Sequence, residues 1–266
     1  MRTPAIAPGW LPGRTVIYYR DLILVLLGKE FKVRYKSTFM GYAWSVLHPL
    51  VLAFIFFMFF RVVVRVQIPA YALYLIAGLF PWHWLANTTA ASNMYFLGNG
   101  SLIKKVRFQR AALVFSGVLS DSVHFICSIP VIVGFMLYYG KYPGLNWLWA
   151  VPALLCLQFV MTSGLGLAIA TTNMFFRDLE RLTALVTQIF FYLAPVVYPL
   201  EAVPAEYTWV FYANPFASIV ICWQGLFYNG SVPLVHLGVA MAWSLGWFAL
   251  GMLIYCKNVW RFAEIV

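Results

Sequence analysis

Six apolar stretches, each about as long as a helix that crosses a lipid bilayer, run through the sequence. A window of about 20 residues places them at 44–64, 71–91, 111–139, 148–175, 182–200 and 233–256. Only 10% of the residues are charged, whereas soluble domains carry about 25%. The 63% that are hydrophobic exceed what one soluble core can hide. The sequence therefore predicts an all-α integral membrane protein, with residues 1–266 forming a single transmembrane domain.

The segment 14–40, ahead of the first apolar stretch, mixes apolar side chains with Lys and Arg. Such a composition is typical of an amphipathic helix that lies in the membrane interface. Its cations would face the anionic headgroups of the lipids. We therefore expect an interface helix before the first span.

Residues 201–231, between the fifth and sixth stretches, are moderately apolar but are interrupted by Pro204, Pro215 and Gly230. These breaks predict a pair of short helices that enter the outer leaflet and return. Irregular backbone at that depth is tolerated only where protein or water covers it. We therefore expect this region to be covered.

Basic residues are distributed unequally between the connections. Arg61, Arg65 and Lys141 lie on one side, and the other 15 of the 18 Lys and Arg residues lie on the opposite side. Short cytoplasmic loops collect Lys and Arg, so both termini are predicted to be cytoplasmic. The net charge of +10 reflects this orientation, and no nucleic-acid-binding motif accompanies it.

The sequence lacks the patterns that nucleotide or metal binding needs. A P-loop requires G-x-x-x-x-G-K-[ST], but the two Gly-Lys pairs are followed by Glu30 and Tyr142. The four Cys and four His residues are scattered and have no metal-ligand spacing. The chain is therefore predicted to have no enzymatic activity, no cofactor and no metal of its own.

Asp121 is the one acidic residue inside a predicted span. A carboxyl group in lipid is costly unless it is paired, and His124 follows one helical turn later. A structural hydrogen-bonding role and a role in transport both remain open. In the fourth span, the small residues of 163–168 predict close packing against another helix.

Three segments have more specific sequences than an apolar membrane span requires. They read RYKSTFMGYAWSVLHP at 34–49, FFRDLERL at 175–182 followed by FFYLAPVVYP at 190–199, and YANPF at 212–216. In this order and spacing the three segments resemble the membrane subunit of ABC-2-type polysaccharide exporters. Three further segments, RVQIP at 65–69, GLFPWHW at 78–84 and RFAEIV at 261–266, look most like the O-antigen permease of Gram-negative bacteria.

That resemblance implies six spans, an interface helix and a re-entrant helical hairpin before the last span. It also implies a homodimer working with two copies of a separate P-loop ATPase, which would bind ATP and Mg in place of this chain. The cargo would be a glycan on polyprenyl pyrophosphate, moved through a channel between the permeases across the bacterial inner membrane. Capsular polysaccharide and teichoic acid are alternative cargoes. A membrane transferase acting on lipid-linked sugars is the rival from another class.

Four cations of the interface segment are candidates for binding the carrier pyrophosphate. They are Arg34 above all, with Arg20, Lys32 and Lys36. An Arg fork suits a pyrophosphate because it donates charge-assisted hydrogen bonds. The alternative is that these residues only anchor the helix at lipid headgroups.

Two cytoplasmic loops are candidates for contact with the ATPase. The loop 98–110 would carry a short coupling helix with Leu102, Ile103, Lys104, Lys105, Arg107, Phe108 and Arg110. A basic loop that only sets topology is the alternative. Residues Arg177, Asp178, Glu180 and Arg181 would form a second contact or a cytoplasmic gate. Ion pairing within that loop is the competing interpretation.

Aromatic residues make up 19% of the chain, more than interfacial belts alone require. The C–H face of a sugar packs on an aromatic ring, so such rings suit a polysaccharide path without tight binding. The candidates are Tyr42, Trp44, Trp82, Trp84, Phe190, Phe191, Tyr192 and Tyr198. For each of them, a place in the interfacial belt is the alternative.

Overall fold

A computed structural model describes residues 12–35, 43–63, 65, 67–106 and 108–262, and regular structure in these ranges is helical. In chain order the helices are α1 Pro12–Tyr35, α2 Ala43–Phe57, α3 Tyr71–Ser92, α4 Gly100–Lys105, α5 Ala111–Tyr138, α6 Trp147–Asn173, α7 Leu179–Leu193, α8 Trp209–Ala213, α9 Ala217–Gln224 and α10 Leu234–Asn258. A π-helical turn, Met58–Val63, extends α2, and another, Gly225–Asn229, extends α9. Short 3₁₀ turns lie at Leu97–Asn99, Leu200–Ala202, Ala205–Tyr207 and Val259–Arg261.

Four helical stretches of the described residues are long and apolar enough to cross a membrane. They are Val46–Val63, Ala111–Tyr138, Trp147–Asn173 and Leu234–Arg261. The pair Ala205–Ala213 and Ala217–Asn229 would make a fifth if taken as one span, and the chain bends by 106° between its two parts. The all-helical membrane class predicted from the sequence is therefore confirmed, with four or five candidate spans where the sequence predicted six.

The second and fifth predicted spans account for the difference. Helix α3 is 22 residues long, but His, Asn and Thr side chains in its second half lower its hydropathy. Sixteen of its residues are buried, so protein rather than lipid surrounds most of it. Helix α7 has only 15 residues, or about 22 Å of length, against a hydrocarbon core of about 30 Å.

Helix α7 ends at Leu193, seven residues before the end of the predicted fifth span, because Pro195 cannot continue the hydrogen-bond ladder. The carbonyls of residues 195–198 instead accept hydrogen bonds from side chains. The Tyr74 hydroxyl lies 2.8 and 2.7 Å from two of them and can donate its one hydrogen to either, and the Tyr71 hydroxyl donates to a third at 2.6 Å. The Gln224 amide donates to the carbonyl of Pro195 at 3.0 Å. Irregular backbone is thereby satisfied inside the protein, as membrane depth requires.

The bent pair is covered by protein where it is irregular. All eight residues of α9 are buried, and Trp223 packs between Phe125 and Phe227 with ring centroids 4.9 and 5.2 Å away. The Asn214 side chain accepts from the Phe216 amide N–H at 2.9 Å and so shapes the break between α8 and α9. Residues 214–227 are buried, whereas most of 202–213 and 229–231 are exposed, so the cover expected for residues 201–231 is found only in the middle of the region.

Helices α6 and α10 approach each other closely through two glycines. A Cβ atom added to Gly164 would lie 2.3 Å from Cα of Phe248, and one added to Gly251 would lie 2.0 Å from the Gly164 carbonyl oxygen. Backbones can approach this closely only where side chains are absent. The close packing predicted from residues 163–168 is confirmed.

Helices α2 and α7 lie at the surface of the protein. Only 11% of the Val46–Val63 stretch is buried, and no residue of α7 is fully buried. Their exposed side chains are largely apolar, including Phe54, Phe59, Leu185 and Ile189. These two surfaces are suited to lipid or to another protein.

Candidate functional site

A groove of about 450 Å³ lies between α2, α3 and α7. Its wall is built from His48 and Phe56 of α2, Trp82, His83 and Asn87 of α3, and Thr187, Gln188, Phe191 and Tyr192 of α7. Residues three or four positions apart share one face of a helix. That spacing explains how each of the three helices supplies one or two lining residues per turn.

The groove combines aromatic rings with polar side chains. The Trp82 and Phe191 ring centroids are 5.4 Å apart, and Phe56 stands 5.9 Å from Phe191. The His48 and His83 rings stack at 4.9 Å, with 25° between their planes. Imidazole, amide and hydroxyl groups both donate and accept hydrogen bonds. This surface can therefore pack against apolar faces and exchange hydrogen bonds with hydroxyl groups.

A line of rings leads from this groove toward the predicted outer end of the protein. Phe60 is 6.3 Å from Phe56 and 6.4 Å from Tyr71, and Tyr74 is 6.3 Å from Tyr71 and 5.4 Å from Tyr228. Sequence reasoning missed these residues. The spacings 56/60 and 71/74, which place aromatic side chains on one helix face, were the available signal.

Three of the eight predicted path aromatics meet in the groove, namely Trp82, Phe191 and Tyr192. Phe190 packs instead against Phe216 at 5.2 Å, and Tyr198 donates a hydrogen bond to the Tyr192 carbonyl at 3.0 Å.

The other three lie elsewhere. Trp84 is buried in the core, stacked on Phe125 at 5.4 Å. Trp44 is half exposed in the first turn of α2. Tyr42 lies outside the described residues.

The predicted pyrophosphate-binding cations are only partly described. Lys32 and Arg20 are exposed on α1, and Arg20 pairs with Asp21 at 2.9 Å. An exposed pair of this kind contributes little stability. Lys36 and the side chain of Arg34 lie outside the described part of the chain. The four residues remain a prediction.

The loop predicted to couple to an ATPase contains the short helix α4. Ile103 is buried, Leu102 and Phe108 are half-buried, and Lys104 and Lys105 are exposed. The loop thus turns Leu102, Ile103 and Phe108 toward the protein, while the two cations and Val106 face outward. A cavity of about 680 Å³ beside α4 is lined by residues of this loop and of the C-terminal end, among them Lys104, Phe108, Arg110, Tyr255 and Trp260. Arg107 lies outside the described residues.

The second predicted loop contact is fully exposed. Arg177, Asp178, Glu180 and Arg181 all face away from the protein. Among the described residues, no ion pair joins these four side chains. The loop is therefore open to an outside partner, and its role remains a prediction.

Asp121 is almost fully buried, at 2% exposure, and accepts a hydrogen bond from the Thr88 hydroxyl of α3 at 2.9 Å. His124 lies edge-on against Phe31 of α1, with ring centroids 5.5 Å apart. These contacts join α5 to α3 and to α1, and the role of Asp121 in transport remains a prediction. Within the ranges that the structure describes, no group of three or more His, Cys, Asp or Glu residues is placed to hold a metal ion.

Lys141 joins three connections at the predicted outer end. Its Nζ donates to the Tyr228 carbonyl at 2.5 Å and stands 3.7 Å from the centroid of the Tyr228 ring. The Tyr228 hydroxyl in turn donates to the Pro69 carbonyl at 2.6 Å. Burial lowers the pKa of the Lys141 ammonium group, because desolvation disfavours the charged form.

Comparison with known proteins identifies relatives over nearly the whole chain. Residues 21–228 match the family model described as ABC-2 type transporter. The chain is 40% identical over 249 residues to O-antigen export system permease protein RfbA of Klebsiella pneumoniae. These aligned residues cover 94% of this chain and 96% of that protein. It is 28% identical over 243 residues to the protein of the same name from Myxococcus xanthus, covering 87% of this chain and 92% of that one.

Proposed function

The chain belongs to the ABC-2 type transporter family, and we propose that it is the permease subunit that exports an O-antigen polysaccharide carried on polyprenyl pyrophosphate. Family membership makes it a transport membrane subunit. The observation that carries the cargo assignment is the groove between α2, α3 and α7, where aromatic faces alternate with amide and imidazole groups. The names of the relatives in Klebsiella and Myxococcus support the same cargo.

The groove provides two kinds of weak contact for a glycan. The rings of Phe191 and Tyr192 are accessible and can pack on the C–H faces of sugars, while Trp82, at 7% exposure, lies behind Phe191 and supports it. Asn87 and Gln188 can exchange hydrogen bonds with sugar hydroxyls. Many weak contacts hold a chain in place while letting it advance, as stacking platforms do for single-stranded nucleic acids.

In this proposal two copies of the chain enclose the path. Helices α2 and α7 border the groove and expose apolar surface, so a second copy can pack there and close the open side. The six proposed spans contain α2, α3, α5, α6, α7 and α10, the one that contains α7 being completed by the irregular backbone of residues 194–200, and the bent pair is re-entrant. The protein lies in the bacterial inner membrane, and because fifteen basic residues are on one side, both termini are on its cytoplasmic side.

The energy for export comes from a partner in this proposal. The sequence has no P-loop, so two copies of a P-loop ATPase would bind ATP and Mg. The loop of α4 would contact them through Lys104 and Lys105, and residues 177–181 would form a second contact. Different contacts with the ATP-bound and ATP-free states would shift the permease between closed and open forms.

The interface helix supplies the proposed site for the carrier lipid. Its cations are positioned beside the predicted cytoplasmic leaflet, where a pyrophosphate would lie. Arg34 is the first candidate, with Arg20, Lys32 and Lys36 as neighbours. A planar guanidinium can donate two parallel hydrogen bonds to one phosphate group.

The test is reconstituted export. The chain is co-expressed with a P-loop ATPase, purified and placed in vesicles with lipid-linked O-antigen, and glycan transport and ATP hydrolysis are measured together. We expect a stable complex whose ATPase rate responds to the glycan. A permease that binds no ATPase, or whose complex ignores the glycan, would contradict the proposal.

Groove variants sharpen this experiment. Replacing Gln188 and Tyr192 with Ala removes one hydrogen-bonding group and one ring from the groove. We expect the export rate to fall on the order of tenfold, the effect of losing one good stacking contact. Leu245→Ala, which removes an exposed apolar side chain from α10, is the matched control and should export normally. Equal export by both variants would refute the groove as the path.

A further inference from the structure

The C-terminal end of α10 is fastened to the loop that carries α4. The Arg110 guanidinium, just before α5, donates a hydrogen bond to the Val259 carbonyl. It also lies 5.6 Å from the centroid of the Phe262 ring. The Ala111 amide N–H donates to the Tyr255 hydroxyl at 3.1 Å. These five residues are called the C-terminal clip below.

Phe262 is the anchor of the C-terminal clip. Its side chain is fully buried although it lies beyond the end of α10. Its ring stands 4.8 Å from Phe96 and 6.1 Å from Tyr255. Phe96 precedes α4 and Arg110 follows it, so Phe262 contacts both ends of the loop at once.

The same loop is also held from the side of α1. The Lys29 side chain donates a hydrogen bond to the Asn99 side chain. The Asn99 amide group in turn donates to the Tyr95 carbonyl at 2.9 Å. The loop is therefore fixed at both ends while Lys104 and Lys105 remain exposed.

The other side of the C-terminal clip is rigid. Helix α10 lies against α6 with Gly251 in contact with the Gly164 backbone. Such close backbone contact leaves little room for the two helices to slide separately. A displacement of the α4 loop that reaches Phe262 is therefore passed to the α6–α10 pair.

We propose that the C-terminal clip is a positioning device that sets α4 against the α6–α10 pair and passes the movement of α4 to those helices. This inference rests on the proposed function, in which the α4 loop contacts an ATPase. Phe262 is buried and acts through α4, so it is a positioning residue. Its loss should leave the subunits assembled but weaken the link between ATP hydrolysis and export.

The test uses the full complex in vesicles with lipid-linked O-antigen, and measures glycan exported per ATP hydrolysed. Phe262→Ala should keep its ATPase partner but lower this ratio on the order of tenfold, within the range that coupling residues show. Phe262→Leu, which refills the site with apolar volume, should recover most of the loss. Leu253→Ala, which removes an exposed side chain from α10, should match the unmodified complex.

Hydrogen exchange separates positioning from general loss of stability. In Phe262→Ala, amides of residues 97–105 should exchange faster while those of α6 keep their rates. Faster exchange in α6 as well, or an unchanged ratio of glycan to ATP, would overturn the inference. If the unmodified complex shows no glycan-coupled ATP hydrolysis, the proposed function itself fails. If it does and Phe262→Ala equals it, only the C-terminal clip is refuted.

Discussion

The contact between α6 and α10 predicts a large loss of stability for Gly251→Ala. The added Cβ would stand 2.0 Å from the Gly164 carbonyl oxygen, whereas ordinary contact begins at 3.4 Å. The helices must therefore separate by about 1.4 Å, the difference between these distances. The clashing atom belongs to the backbone, so no change of rotamer can relieve the overlap.

The size of the effect follows from packing energetics. Overpacking a well-filled site costs about 1–3 kcal/mol, and a backbone clash belongs at the upper end of that range. Separation also loses dispersion contacts along the rest of the helix pair. In a chain of this size about 1 kcal/mol lowers the melting temperature by roughly 2–4 °C. We therefore expect Gly251→Ala to melt roughly 6–12 °C below the unmodified protein.

The assay is thermal unfolding in detergent, followed by tryptophan fluorescence and by size-exclusion recovery. Gly238→Ala and Gly246→Ala are matched controls on the same helix, because a Cβ at either position meets nothing within 4 Å. Alanine is the better helix former by about 1 kcal/mol, so these controls should melt at or above the unmodified temperature. A Gly251→Ala protein that melts with its controls would refute the close approach of α6 and α10.

Two further predictions concern buried or half-buried polar groups. Thr88→Val removes the hydroxyl that donates to the buried Asp121 carboxyl group and should cost about 1–3 kcal/mol in the same melting assay; Thr89→Val, whose hydroxyl bonds only its own helix at Leu85, should cost less. At Lys141 the folded pKa lies below the unfolded value, so the unfolded chain binds more protons between the two values and stability rises as pH increases through that window. Lys141→Met should abolish this rise in the pH range just below the ordinary lysine pKa of about 10.4, and an unchanged pH slope in the variant would contradict it.

The long apolar helices could be predicted from the sequence because the thickness of the bilayer sets the length of an apolar stretch that crosses it. The stretches of α5, α6 and α10 and the glycine contact at Gly164 follow from local composition. The end of α7 could not be read in the same way. Pro195 signals a break, but the donors that let the following backbone stay inside the protein are Tyr71, Tyr74 and Gln224, which lie far away in sequence.

The aromatic residues show a second limit of sequence reasoning. Trp82 and Trp84 are two residues apart on α3, and a helix turns about 200° over that distance. One ring therefore faces the groove with Phe191, and the other stacks on Phe125 in the core. Residue type and helix were the same for both. Both rings are buried, and only the packing of α3 against α5 and α7 decides which of them lies at the wall of the groove.

The polar groups of the groove bear on what must cover it. His48 and Gln188 are exposed, and most of the exposed side chains around them on α2 and α7 are apolar. Hydrocarbon offers such groups no hydrogen-bond partners, and burying each unpaired group there costs about 2–7 kcal/mol. A groove open to lipid would therefore be unfavourable on both α2 and α7. A second copy laid against the apolar faces of these helices would remove the groove from lipid and leave water or sugar hydroxyls as partners, which is the arrangement that an export path between two protomers requires.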